Sequence, residues 1–219
     1  LYNKDEIKSL AKIVKKHNIF LIADEVYREF TYNNKKHYSI LNEKDIYENT
    51  IVIDSTSKRY SMCGARVGCI VSKNNNFIQT CLKFAQARLS PPTFGQLAGI
   101  EALKTRGNYF NKVINKYENR RNTLVNELNK INGVVCPNPE GAFYCIAKLP
   151  IKNSDDFCKW LLNSFEYKNQ TLMMAPASGF YSNKNLGKNE VRIAYVLEEK
   201  KIIQACKILK KGLEKYKSV

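Results

Sequence analysis

Between Asp5 and Lys16 the apolar residues Ile7, Leu10, Ala11 and Val14 recur at three- and four-residue spacing, the mark of a helix with one buried face. Asn3, with Glu6 three positions later, supplies a capping-box pattern at its start, and Asn18 suits a left-handed stop. The pattern then changes. "IFLIA" at 19–23 is continuous and short, which fits a strand buried on both faces of a parallel sheet. "TIVI" at 50–53 and "GCIV" at 68–71 predict two further strands. Helical periodicity returns at 77–88 and 94–105, where the intervening "SPP" prevents one continuous helix. It returns again in a long amphipathic stretch from Tyr109 to Ile131.

Past Ile131 the elements shorten. "GVVCPNPEGAFYCIAKL" at 133–149 predicts two strands joined by a Pro/Gly turn. A helix near 154–165, strands at 171–175 and 190–196, and a final helix at 198–216 complete the chain. The order implies a layered α/β domain followed by a smaller α+β unit. The boundary is placed inside the long helix, giving domains 1–119 and 120–219.

Composition adjusts this picture only slightly. At 44% hydrophobic and 26% charged, the 219 residues describe a folded globular chain. No apolar run is long enough to span a membrane, and the first 20 residues lack the plan of a secretory signal. The net charge of +16 is mostly lysine scattered among asparagines, so it reads as a solvated surface rather than a nucleic-acid groove. Seven unpaired-looking cysteines, without a C-x-x-C, suit a reducing cytoplasm and small core hydrophobes. With only His17 and His37 as imidazoles, no metal site is indicated. The opening "LYNKDEIKSL" has no initiator Met and is read as the start of a piece of something longer.

Chemistry concentrates where two expected strands end. Asp24 follows the strand at 19–23, and Ser55, Ser57 and Lys58 follow the strand at 50–53. In open α/β sheets ligands gather beyond the carboxyl ends of the strands. Were the two strands parallel neighbours, a carboxylate and an amine would face one crevice. A lysine in such a cleft can form a Schiff base with a carbonyl compound. Two serine hydroxyls and the Arg66 guanidinium could seat a phosphate dianion. Asp24 could hold a protonated ring nitrogen. Together these groups describe a site for pyridoxal 5'-phosphate.

The segment "STSKRYSMCGARVG" resembles the lysine signature of the class I aminotransferases, fold-type-I pyridoxal phosphate enzymes. It carries small–x–small–Lys, then Arg eight positions later, an apolar residue and Gly. "DEVY" at 24–27 is similar to that family's Asp-x-x-Tyr stretch, and "GAFY" at 141–144 and "NEVRIAY" at 189–195 resemble its later segments. The four pieces stand in family order and span nearly the whole chain. The resemblance implies the C-terminal portion of such an enzyme: roughly three strands of the large sheet plus the small domain. It assigns Lys58 the internal aldimine and the proton shuttle, Asp24 the pyridinium proton, and Tyr27 the ring's phenolic oxygen. Ser55, Ser57 and Arg66 receive the phosphate, and Arg192, expected to be buried in its strand, receives the substrate α-carboxylate. The remaining helical arginines, Arg88, Arg120 and Arg121, are expected to be solvated.

The implied reaction is amino-group transfer between an amino acid and a 2-oxo acid, in a homodimer. "QARLSPPTFGQ" and "APASGFY" most resemble aspartate aminotransferase-like members, which suggests aspartate and 2-oxoglutarate. A C–S lyase or synthase on the same fold, and a non-catalytic interaction fragment, remain open alternatives. "STSK" also satisfies the Ser-x-x-Lys of penicillin-recognising serine enzymes. Their Lys-Thr-Gly has only "KTR" at 104–106 as a counterpart, which precedes "YSN" at 181–183 and lies in a helical stretch. With roughly three strands of a larger sheet encoded, exposed sheet edges are expected.

Overall fold

The computed structural model describes residues 1–216; the last three residues of the expected second domain lie outside them. Helix α1 (Lys4–His17) starts on a complete capping box: the Asn3 side chain accepts from the Asp5 and Glu6 amides, and Glu6 accepts from the Asn3 amide. It ends at left-handed Asn18, and buries Ile7, Ala11 and Val14. Strand β1 (Leu21–Asp24) follows, then two 3-10 turns (Ile40–Asn42 and Lys44–Asn49) and strand β2 (Thr50–Ser55). A single helical turn, α2 (Thr56–Arg59), leads to strand β3 (Gly68–Val71) and helices α3 (Asn75–Arg88) and α4 (Thr93–Leu103).

The first sheet has the order β1-β2-β3. β1 and β2 run parallel, with Asp24 beside Ile53, while β3 returns antiparallel and sets Gly68 opposite Ser55. Val52 belongs to a core with Ile7, Ala11, Val14, Ile40 and Ile46. The opposite face is open: Ile22, Ile53 and Ile70 are 63%, 38% and 47% exposed. Helix α3 buries no residue, and α4 buries only Gly95 and Gly99. Gly95 is needed for close approach, because a Cβ there would overlap the Ala65 carbonyl oxygen.

The chain divides into two compact units, Leu1–Asn111 and the residues from Lys112 onward, the division falling within helix α5 (Gly107–Asn129). The second unit continues with strand β4 (Tyr144–Lys148), helix α6 (Ser154–Asn163), strands β5 (Ala175–Pro176) and β6 (Glu190–Ala194), and helix α7 (Glu199–Tyr216). Its sheet is antiparallel throughout, in the order β4-β6-β5. Leu128, Ala147, Leu149, Phe157, Leu161, Val191, Tyr195 and Leu209 are sealed from solvent.

Three local expectations are corrected here. The stretch 133–149 yields only β4 and an isolated bridge between Val135 and Lys148. The backbone of Cys136 is bonded instead by the Asn129 side chain, through both its N–H and its carbonyl, and Pro137 and Pro139 offer no donor. The strand expected at 171–175 shrinks to residues 175–176, and Thr171 donates its hydroxyl to the Leu161 carbonyl of α6. Arg121 is not solvated but 1% exposed, held by the Pro139 carbonyl, Glu118 and Asn122. Among the described residues no helix is long and apolar enough to cross a membrane.

Candidate active site

Parallel pairing carries the two loops that follow β1 and β2 to the same end of the sheet. The Glu25 amide extends the ladder by donating to the Ile53 carbonyl at 3.0 Å. Asp24 is exposed, and its Oδ1 accepts from the Val26 amide at 3.3 Å, which turns the chain toward Tyr27. Tyr27 is half-buried and packs edge-on to Phe30. From the adjacent loop, Lys58 Nζ comes 5.8 Å from the centroid of the Tyr27 ring. An amine and a phenol 31 residues apart in sequence, on neighbouring loops, thus share one surface.

The segment before Lys58 is fixed by one carbonyl. Val67 O accepts from the Ser55 hydroxyl at 3.0 Å, the Thr56 hydroxyl at 3.0 Å and the Thr56 amide at 3.2 Å. These bonds fasten residues 66–68 to residues 55–57. The Ser55 and Ser57 oxygens lie 2.9 Å apart, and Ser55 Oγ accepts from the Ser57 amide. Close approach is required at Gly68, where a Cβ would stand 2.9 Å from the Asp54 carbonyl oxygen. Arg66 is exposed, adopts left-handed backbone (φ 56°, ψ 42°) and donates from Nη1 to the Cys63 carbonyl at 2.8 Å.

Six of the residues singled out in the sequence, Asp24, Tyr27, Ser55, Ser57, Lys58 and Arg66, therefore lie in the first unit on two neighbouring loops and the turn tied to them. Arg192 lies in the second unit on β6. It is exposed rather than buried, because the two-residue period of the strand turns Val191 inward and Arg192 out. Its guanidinium lies 4.6 Å from the Phe180 ring and 5.4 Å from that of Tyr144.

Two clusters beside these loops escaped the sequence. Glu25 is buried and accepts from the Ser39 hydroxyl and the Ile40 amide, both at 3.0 Å, with His37 Nε2 3.0 Å from its other oxygen. Burial pushes the Glu25 carboxyl up, but the His37 contact and the bonds from Ser39 and Ile40 outweigh it and leave the pKa below the ordinary value. Arg59, next to Lys58, is also buried and lies 2.7 Å from both Glu29 Oε1 and Asp54 Oδ2. Asp54, directly after the apolar run at 51–53, was the available signal. Cys63 and Cys69 are exposed rather than core, whereas Cys136, Cys145, Cys158 and Cys206 are buried.

The donor set fits a phosphorylated pyridine aldehyde. It offers an amine for the carbonyl carbon, an exposed carboxylate for a ring nitrogen, a phenol for an oxyanion, and two hydroxyls with a guanidinium for a phosphate. Among the described residues no group of three or more His, Cys, Asp or Glu could hold a metal ion.

The family model for aminotransferases of class I and II matches residues 1–209. An aspartate aminotransferase of Pyrococcus horikoshii is 30% identical over 216 residues, which cover 97% of this chain and 53% of that protein. An aspartate aminotransferase of Bacillus subtilis is 30% identical over 225 residues, covering 99% and 54%. The crystal structure of an aromatic aminotransferase from Pyrococcus horikoshii superposes with a TM-score of 0.87 at 28% identity, over 100% of this chain and 57% of that one. The chain spans about half the length of the curated relatives it matches.

Proposed function

Because this chain belongs to the class I and II aminotransferases, we propose that it carries the lysine loop of a pyridoxal phosphate-dependent enzyme that moves an amino group between an amino acid and a 2-oxo acid. The observation that carries this reading is the meeting of Lys58 with Tyr27 at the carboxyl ends of two parallel strands, beside the Ser55–Ser57 pair. When bound, pyridoxal phosphate supplies an electron sink for a carbanion at the substrate Cα.

The chain's own residues do the rest. Lys58 Nζ would hold the cofactor and would serve as the base for the substrate Cα proton. Asp24, exposed at the end of β1, keeps a proton on the ring nitrogen. Tyr27 donates to the ring's phenolic oxygen. The Ser55 and Ser57 hydroxyls, 2.9 Å apart, are proposed to turn toward the phosphate, Ser55 by giving up its hydrogen bond to the Val67 carbonyl. Arg66 spends one of its five N–H donors on Cys63 and offers others to the same dianion. Arg192 is proposed to bind a substrate carboxylate.

Aspartate and 2-oxoglutarate are the proposed pair, supported by the names of the two relatives above. A homodimer in the cytoplasm is the proposed setting. The test is turnover by the gene's complete product. With pyridoxal phosphate, aspartate and 2-oxoglutarate it should form glutamate, and Lys58→Ala should abolish this. With an S-substituted cysteine as the sole substrate, thiol, pyruvate and ammonia released without an amino acceptor would instead establish a lyase and overturn the transfer reading.

A further inference from the structure

We propose that Arg59 is a positioning residue that locks the loop bearing Asp24 and Tyr27 against the loop bearing Ser55, Ser57 and Lys58. The proposal rests on the reading of Lys58 as the cofactor anchor. Its basis is where the three partners sit. Glu29 stands two residues after Tyr27, Asp54 immediately before Ser55, and Arg59 immediately after Lys58. One guanidinium joins them: Nη2 bonds Asp54 Oδ2 at 2.7 Å, and Nε pairs with Glu29 Oε1 at 2.7 Å as an ion contact without an aligned hydrogen bond. Glu29 and Asp54 are 25 positions apart in sequence and are joined by this residue and by Arg28.

The cluster is electrically closed, with two arginines against two carboxylates. Arg28 is more exposed and sits farther out, 3.5 Å from Asp54 and 3.1 Å from Glu29, so Arg59 supplies most of the buried compensation. Glu29 Oε2 is buried without a hydrogen-bond partner, so this carboxylate depends on the arginines for its charge. Asp54 Oδ1 accepts from the Ser55 amide at 2.8 Å, which passes the constraint directly into the hydroxyl pair. A planar fork can span two carboxylates from different elements, whereas an ammonium cannot hold both in fixed orientation. Without Arg59 the two acids repel, the loops part, and Lys58 loses its place over Tyr27.

The variants Arg59→Lys and Arg59→Gln test this in the complete gene product. Pyridoxal phosphate affinity should fall about 100-fold in both, the scale of an ångström-level misplacement. The pH at which the visible band of the lysine-bound cofactor titrates should also shift. Wild-type affinity and an unshifted titration would overturn the proposal. Should either variant fail to fold, the triple variant Arg59→Met, Glu29→Gln, Asp54→Asn removes the three buried charges and leaves only the more exposed Arg28 without its acids. It should give a native circular dichroism spectrum and still bind weakly; wild-type binding there would overturn the proposal. If the wild-type protein takes no cofactor at Lys58, the functional reading fails separately. Hydrogen exchange then decides Arg59: faster exchange across residues 24–29 in Arg59→Gln supports the lock, and unchanged exchange overturns it.

Discussion

In the second unit α6 and α7 close over a continuous apolar core, with Gly212 so tight against Leu161 that a Cβ would stand 2.9 Å from it and Phe157 edge-on to Tyr216. In the first unit only one face of the sheet is covered, and its other face shows Ile22, Ile53 and Ile70 to solvent. The first unit compensates with buried charge: Arg59 with Glu29 and Asp54, and Glu25 with His37, Ser39 and Ile40. Apolar burial is non-directional and insensitive to protonation, whereas ion pairs and charged hydrogen bonds fix orientation and respond to pH. The unit that carries the proposed cofactor loops holds two such buried clusters beside them, whereas the second unit buries Arg121 against Glu118 and the Pro139 carbonyl within its apolar core.

That contrast makes ordered predictions. Phe157→Ala in the second unit should cost about 3–5 kcal/mol of stability, read from urea unfolding, because Phe157 is fully buried among Trp160 and Tyr216. A cost below about 1 kcal/mol would show that this core is not what holds the unit. Next in size is Glu25→Gln, at about 1.5–3 kcal/mol near neutral pH, the scale for hydrogen bonds to a charged group. The sign follows from the lowered pKa: the folded state holds the proton less tightly than the unfolded one. The stabilisation is therefore complete above the unfolded value of about 4.3 and is lost as pH falls through the folded value. Acid titration of stability should show that loss in the wild type and not in Glu25→Gln.

Smaller still is Ile70→Thr on the open sheet face, which should change stability by less than about 0.5 kcal/mol while lowering binding of a hydrophobic dye. A large destabilisation would mean that the face is covered in solution. Thiol labelling needs no stability change at all. Cys63 of the first unit should react with iodoacetamide in the native protein, and exposed Cys69 more slowly, because burial and the Asp54 charge push its thiol up. In the second unit, burial pushes the Cys158 thiol to about 11 and that of Cys206 to about 12, and both should stay unlabelled until unfolding.

Local signals in the sequence were strong where one residue decides one feature. The Asn3–Glu6 capping box and left-handed Asn18 bound α1 as the pattern implied, and the three apolar runs became β1, β2 and β3. Arginines were harder, since their burial depends on partners distant in sequence. Arg121, on a charged helix, is buried because the Pro139 carbonyl reaches it across a loop. Arg192, in an apolar strand, is exposed, though the alternation of Val191, Arg192 and Tyr195 was already written in the chain. Arg59 lies inside the lysine segment, but its two acids are brought together by the parallel pairing of β1 and β2, which a local pattern does not carry. The expectation from roughly three strands of a larger sheet concerned its edges, which β1 and β3 form; the open face carrying Ile22, Ile53 and Ile70 is a separate feature that it did not include.

The central claim is that Lys58, and no other of the chain's many lysines, takes pyridoxal phosphate. The direct measurement is to saturate the complete gene product with the cofactor, reduce with borohydride, digest, and map the modified peptide by mass spectrometry. The account predicts one stoichiometric modification on Lys58, lost in Lys58→Ala and weakened in Arg59→Gln. Stoichiometric modification at any other lysine, with Lys58 untouched, would contradict it.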